Sequence, residues 1–207
     1  MKKEYTKKKR NTGNRVRKRI VLLSVEGENK TEKNYFKGFN NATTRVVFTR
    51  GNETDPVRLA KRLVQEYKSL GLDDELGDLA YCVVDGDVSK KQEKEIKKAE
   101  TIVKKHGNII VSNPCFEVWF LFHYTDSTRQ YKSSREVVIA LKEYIPDYEK
   151  NTADIYSQLI DKLDDAISNA KNLDDYNKMM QRSLHNYDYQ PSSEVYKIIE
   201  GIDNLNY

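Results

Sequence analysis

Three carboxylates stand where two apolar runs stop. Glu26 follows Ile20-Val21-Leu22-Leu23-Ser24-Val25, and Asp85-Gly86-Asp87 follows Leu79-Ala80-Tyr81-Cys82-Val83-Val84. Clustered anionic oxygens repel one another unless a hard cation neutralises them, and Mg²⁺, with Mn²⁺ as its substitute, is the usual choice where phosphate is the substrate. On an extended backbone Asp85 and Asp87 would point the same way about 6.6 Å apart, near enough to share one ion or its waters. Gly86 leaves room for metal or phosphate to approach. An Asp-Gly hairpin turn is the alternative, but a hairpin needs a second strand and a charged helical stretch follows instead. The expected chemistry is metal-assisted attack on a phosphodiester, with Glu26, Asp85 and Asp87 as metal ligands and Glu26 handling a proton.

Further residues could assist. In the turn Glu26-Gly27-Glu28-Asn29-Lys30-Thr31-Glu32, Lys30, Thr31 and the start of the following helix suit a phosphate. Glu28 is a secondary metal candidate, and Glu32 is either an assistant or a helix cap. Glu117 lies in the apolar stretch Phe116 to Phe122, where a lone charge would cost several kcal/mol, so it either pairs or binds metal. His123 could give a proton or touch phosphate, or make one structural hydrogen bond. Lys150 could neutralise charge at a reacting phosphate. His106 and His185 carry no signal, and Cys82 and Cys115, far apart in apolar contexts, read as small buried thiols.

Elements of alternating type must position these groups. Strands are expected near 20–25, 45–49, 79–84 and 108–111, and helices near 31–39 and 56–70 and from Ser89 onward. The 56–70 helix has Asp55 as cap, Pro56 at its first position and Gly71 at its end, while Ser89 to Gln92 forms a capping box. Strands alternating with helices of this length imply β-α-β crossovers and a parallel sheet, whose ligands gather at the carboxyl ends of its strands. Beyond residue 112 the pattern turns helical. Asn113-Pro114 is expected to start a buried helix, 155–170 a long amphipathic one and 195–202 a terminal one, with 172–190 a polar loop.

Composition bounds the classes. The chain has 207 residues, 38% of them hydrophobic, with fourteen Tyr, six Phe and one Trp, enough for a compact core. No apolar run approaches a membrane span or secretory signal, so a soluble, cytoplasmic protein is expected. Ten Lys or Arg stand in the first 19 residues against Glu4 alone, although the whole chain is only +4. A basic arm on an acidic body reads either as a disordered phosphate-binding segment or as a solubilising tail. The organisation expected is a basic arm over 1–18, an α/β core over 19–125 and a helical annex over 126–207.

The strings Ser24-Val25-Glu26-Gly27-Glu28-Asn29-Lys30-Thr31-Glu32-Lys33-Asn34-Tyr35-Phe36, Val84-Asp85-Gly86-Asp87 and Ser112-Asn113-Pro114-Cys115-Phe116-Glu117-Val118-Trp119-Phe120-Leu121-Phe122-His123 resemble the RloB-like family. The likeness runs over residues 20–202 and takes in Gly51-Asn52, Tyr148 with Lys150, and Pro191 to Val195. It implies a Toprim-like α/β fold, with a four-stranded, mainly parallel sheet flanked by helices and a C-terminal helical annex. It also implies a strand-end Glu as general acid or base, an Asp pair holding Mg²⁺, and a place in antiphage or restriction-modification loci. Glu117, His123 and Lys150 fall on recurrent positions. The residue between the two aspartates is commonly Arg in that family, whereas Gly86 stands here. The resulting expectation is a Mg²⁺-dependent endonuclease acting on DNA or RNA, tRNA included, in antiviral defence. Partner defence proteins and a homo-oligomer are open. Topoisomerase and primase chemistry call for more machinery than 207 residues are expected to hold. The alternative is a non-catalytic nucleic-acid-binding or sensor subunit.

Overall fold

The computed structural model describes residues 17–27 and 30–203. The basic arm lies outside the described residues except at its base, where Arg17 forks onto Asp78 at 2.5 and 3.0 Å and Lys18 donates to the Asn41 carbonyl. Residues 17 and 18, expected to belong to the arm, are thus fastened to the body.

The chain runs β1 (Arg19–Ser24), α1 (Lys30–Lys37), β2 (Thr44–Phe48), α2 (Pro56–Leu70), β3 (Leu79–Asp85), α3 (Lys90–Val103) and β4 (Asn108–Asn113). Then come α4 (Glu117–Phe122), α5 (Ser134–Leu141), α6 (Ile155–Leu159), a 3-10 turn (Ile160–Lys162), α7 (Leu163–Met179), β5 (Ser192–Ser193) and α8 (Val195–Asp203). One sheet has the order β2-β1-β3-β4-β5, with the first four strands parallel and β5 antiparallel to β4. The four expected strands are present, and a two-residue fifth joins them.

Successive strand residues face opposite sides, and both sides are covered. Leu22, Cys82, Val84, Ile109 and Val111 pack under α2 and α3. Val21, Leu23, Val83 and Ile110 pack under α1 and α4 together with α5, α7 and α8, in one continuous core. The segment expected to be a helical annex therefore returns to the sheet, supplying β5 and part of its cover. Asp55 accepts from the Arg58 amide, Gly71 ends α2, and Ser89 accepts from the Gln92 amide, as the capping patterns predict.

Two expectations are corrected. Asn113-Pro114 does not begin a helix: Asn113 still pairs with Ser192 in the sheet, its Nδ2 donates to the carbonyls of Asn186, Tyr187 and Tyr189, and α4 starts only at Glu117. Residues 172–179 are helix rather than loop. α7 buries polar groups there, with Asp174 taking the hydroxyls of Tyr189 and Tyr196, and Asn177 donating to the Leu173 and Pro191 carbonyls. Apolar periodicity cannot register a helix face buried through hydrogen bonds.

Candidate functional site

Parallel register brings the acids together. Ser24 of β1 lies beside Cys82 of β3, and Asp85 beside Ser112 of β4, so Glu26 and Asp85 leave adjacent strands at the same end. The Asp85 amide donates to Glu26 Oε1 at 3.1 Å. Gly27 turns the chain in the left-handed region that glycine adopts without strain, its amide donating to the Glu53 carbonyl. Glu28 and Asn29 lie outside the described residues.

Asp87 does not extend the strand beside Asp85. After Gly86 both Asp87 and Val88 take positive φ, of 52° and 48°, a costly conformation for non-glycine residues and above all for a β-branched one. The turn is held by Gly86 N–H to the Ser112 carbonyl, Asp87 N–H to the Pro114 carbonyl and the Gln92 side chain on the Asp85 carbonyl. The two carboxylates thus come from a strand end and an exposed turn, not from one extended face.

Two more acids face this group. Glu32 and Glu117 are 4% and 3% exposed, and each acts on the Asp85 carboxyl electrostatically, as Glu26 and Asp87 do. Burial, then the Glu26 charge and those of its neighbours, push Asp85 well above the usual carboxylate range. Burial pushes Glu26 up to about 7, even against the Asp85 amide, and Glu32 up to about 8. Glu32 Oε2 is buried and has no hydrogen-bond partner among the described residues. Asp87 is raised by desolvation and pulled back by Lys150.

Lys150 supplies the opposing charge, with Nζ 3.3 Å from Glu117 Oε1. Burial works against its ammonium, yet Glu117, Asp85 and their neighbours hold its pKa above the ordinary value. Glu117 is paired in this way, with the Tyr148 hydroxyl donating to the same oxygen at 3.4 Å. The loop carrying Lys150 is tied to α1: Asn151 Oδ1 accepts from the Lys30 amide, and the Asn151 amide donates to the Thr31 hydroxyl. The helix start and the hydroxyl expected to take phosphate are therefore engaged by Asn151, leaving the Lys30 side chain exposed.

His123 is placed elsewhere. It is 1% exposed between Tyr35 and Trp119, its Nδ1 beside the Trp119 carbonyl, and burial lowers its pKa to about 4. The charges that act on it are those of Asp165 and Lys162 rather than the acids. A neutral imidazole in an aromatic core suits packing. Cys82 and Cys115 are buried free thiols.

Sequence reasoning gave Glu32 too little weight, read Asn113 as a helix start and missed Asn151. Glu32 lies two helical positions beyond Lys30 and across a turn from Glu26, and only the fold turns it inward. A cleft of about 740 Å³ opens apart from the acids, along the amino-terminal half of β4, and is lined in part by Tyr81, Lys104, His185, Glu194 and Lys197.

A family model described as RloB-like protein matches residues 21–202. The chain belongs to the RloB-like family. No curated protein and no solved structure matches it. No described helix is long and apolar enough to cross a membrane.

A divalent cation can be tested against these residues by their chemistry. Oxygen donors of Glu26, Asp85, Asp87, Glu32 and Glu117 are the type a hard cation takes, and an unpartnered buried carboxylate oxygen beside raised carboxyls is a site where positive charge is wanted. Among the described residues, no three such side chains already converge as a ligand set. The donors fit in kind, and Glu26 Oε1 is meanwhile occupied by the Asp85 amide.

Proposed function

We propose that this protein is a Mg²⁺- or Mn²⁺-dependent endonuclease with a Toprim-like core, hydrolysing phosphodiesters of nucleic acid in antiviral defence. What supports the reading is that Glu26, Asp85 and Asp87 stand at or just past the carboxyl ends of β1 and β3, near enough to act on one another's charge, with the Lys150 charge acting on Asp85 and Asp87 as well. Family membership supports the defence context, and the basic arm supports a polyanionic substrate.

The chain's own groups divide the work. Glu26, Asp85 and Asp87 would hold the cation, with Glu117 within reach of the same charge field. A bound cation supplies a polarised phosphoryl oxygen and a more acidic water. Glu26, raised to about 7, is placed to accept or return a proton near neutral pH. Lys150 offers the ammonium that a pentavalent phosphoryl group needs beside it, and its pairing with Glu117 fixes where that charge stands. The exposed Lys30 side chain, with the partly exposed Lys33, suits the flanking phosphates.

The test is direct. Purified protein with Mg²⁺ or Mn²⁺ should nick plasmid DNA or cut RNA, and Asp85→Asn should abolish cleavage while leaving the circular dichroism spectrum unchanged. Binding of nucleic acid without turnover, at an affinity indifferent to Mg²⁺, would instead favour the non-catalytic subunit.

A further inference from the structure

Beyond the acids, the segment 185–189 is laid along α3 toward the Asp85-Gly86-Asp87 turn. His185 meets Glu100, Lys97 Nζ donates to Asn186 Oδ1 at 3.0 Å, and the Tyr187 amide donates to Glu93 Oε2 at 3.2 Å. Each step climbs about one turn of the helix toward its start, so Tyr187 ends at the carboxyl edge of the sheet. Asn113 joins it to the site: Nδ2 lies 3.1 Å from the Tyr187 carbonyl, while the same side chain fills the space over Gly86, where a Cβ would stand 2.7 Å from Asn113 Oδ1.

Tyr187 is partly buried, and the Lys90 ammonium lies 5.2 Å from its ring centroid. Lys90 begins α3 three residues after Asp87, and Lys90, Lys91 and Lys94 are all exposed around that helix start. An aromatic ring on a hydrogen-bonded backbone with a cation against it, one side chain away from the turn proposed to hold the metal, is the arrangement that single-stranded nucleic acid uses: a base stacks while the ammoniums follow the backbone. A paired base in a duplex keeps its faces covered and cannot do this.

We propose that Tyr187, backed by Lys90, is a stacking shelf for an unpaired nucleobase beside the scissile phosphate, and that the substrate class is single-stranded DNA or RNA. This rests on the nuclease reading and adds the strandedness of its substrate. Tyr187 is a specificity residue here and takes no part in proton or metal handling.

The experiment is fluorescence anisotropy with divalent ions chelated, using labelled oligonucleotides of roughly 12 nucleotides as single-stranded DNA, single-stranded RNA and duplex DNA. Wild type should bind at least one single strand more tightly than the duplex. Tyr187→Leu should weaken that single strand about tenfold or more while leaving the duplex unchanged, and Tyr187→Phe should bind as wild type. The DNA and RNA arms show which strand the shelf prefers. Equal single-strand affinity of Tyr187→Leu and wild type, or a wild-type preference for duplex, overturns the shelf. If Mg²⁺-dependent cleavage still occurs in that case, the nuclease reading stands without it. Failure of wild type to bind any of the three also overturns the shelf, and cleavage with Mg²⁺ or Mn²⁺ then decides the nuclease reading by itself.

Discussion

Lys150 Nζ stands 3.3 Å from Glu117 Oε1, joining a loop residue to a helix that is otherwise wholly apolar. Glu117 is 3% exposed, whereas the Lys150 side chain is 49% exposed, so the pair is buried on one side only. Its lysine can therefore be removed without opening the core. Lys150→Met should lower stability by about 1–3 kcal/mol in urea unfolding, because it strands a buried carboxylate. Glu117→Gln in the same background should recover most of that loss, since the uncompensated charge disappears. Cleavage should fall in Lys150→Met, without any change in the strandedness of the preferred substrate, and in Glu117→Gln made alone.

The raised carboxyls predict how stability responds to pH. Glu26 and Glu32 rise from an ordinary 4.5 to about 7 and about 8, so the folded state holds protons that the unfolded chain has released. Stability of the metal-free protein should accordingly fall as pH rises from about 4.5 to about 8, with the loss complete above that window. Added Mg²⁺ should flatten the fall, and Glu32→Gln should remove part of it. Melting temperature against pH, with and without metal, measures all three. A metal-free melting temperature that climbs across this range would contradict the account.

His185 sits between Glu100 on α3 and Glu194 ahead of α8, with Nε2 2.6 Å from Glu194 Oε2, and Lys197 of α8 shares Glu194. Burial alone would lower its pKa, but the two carboxylates raise it above the ordinary 6.5. Its contribution to stability is fully present below pH 6.5 and is lost as pH rises through the raised folded value. Amides of 185–189 should exchange faster above that value than exchange chemistry alone dictates, and His185→Gln should exchange fast at every pH. Hydrogen exchange followed by mass spectrometry reads the difference.

Gly86 is required by its surroundings, since an added Cβ would meet Asn113 Cγ and Oδ1 at 2.7 Å and Cβ at 2.9 Å. Gly86→Ala should cost about 1–3 kcal/mol in chemical denaturation, as overpacking does. Asn113→Ala alone loses the three carbonyl contacts. Together the two changes should cost less than the sum of each, because the second removes the two closest contacts, Cγ and Oδ1, and leaves only the Cβ contact at 2.9 Å.

The parts of this molecule that were legible beforehand are those written in short-range pattern. β1, β3 and β4 announced themselves as β-branched runs, and α2 by Asp55, Pro56 and Gly71. Glu26 and Asp85 could be placed together because parallel strands end on one side, a rule of topology rather than of spacing. What escaped depends on contacts between distant segments. Asn151 reaches α1 across 120 residues, Asn113 reads as a cap until Ser192 arrives to pair with it, and Glu194 gives no sign of His185. The left-handed pair Asp87 and Val88 escaped as well, since a β-branched valine disfavours that region and only the bonds around the turn hold it there.

The central claim is that the strand-end carboxylates bind a divalent cation, and calorimetric titration of Mn²⁺ into the metal-free protein tests it most directly. The account predicts saturable binding at pH 7.5 that releases protons as the raised carboxyls ionise, and that is lost in Asp85→Asn and weakened in Glu26→Gln. Mn²⁺ affinity equal to wild type in Asp85→Asn, in protein that is still folded, would contradict it.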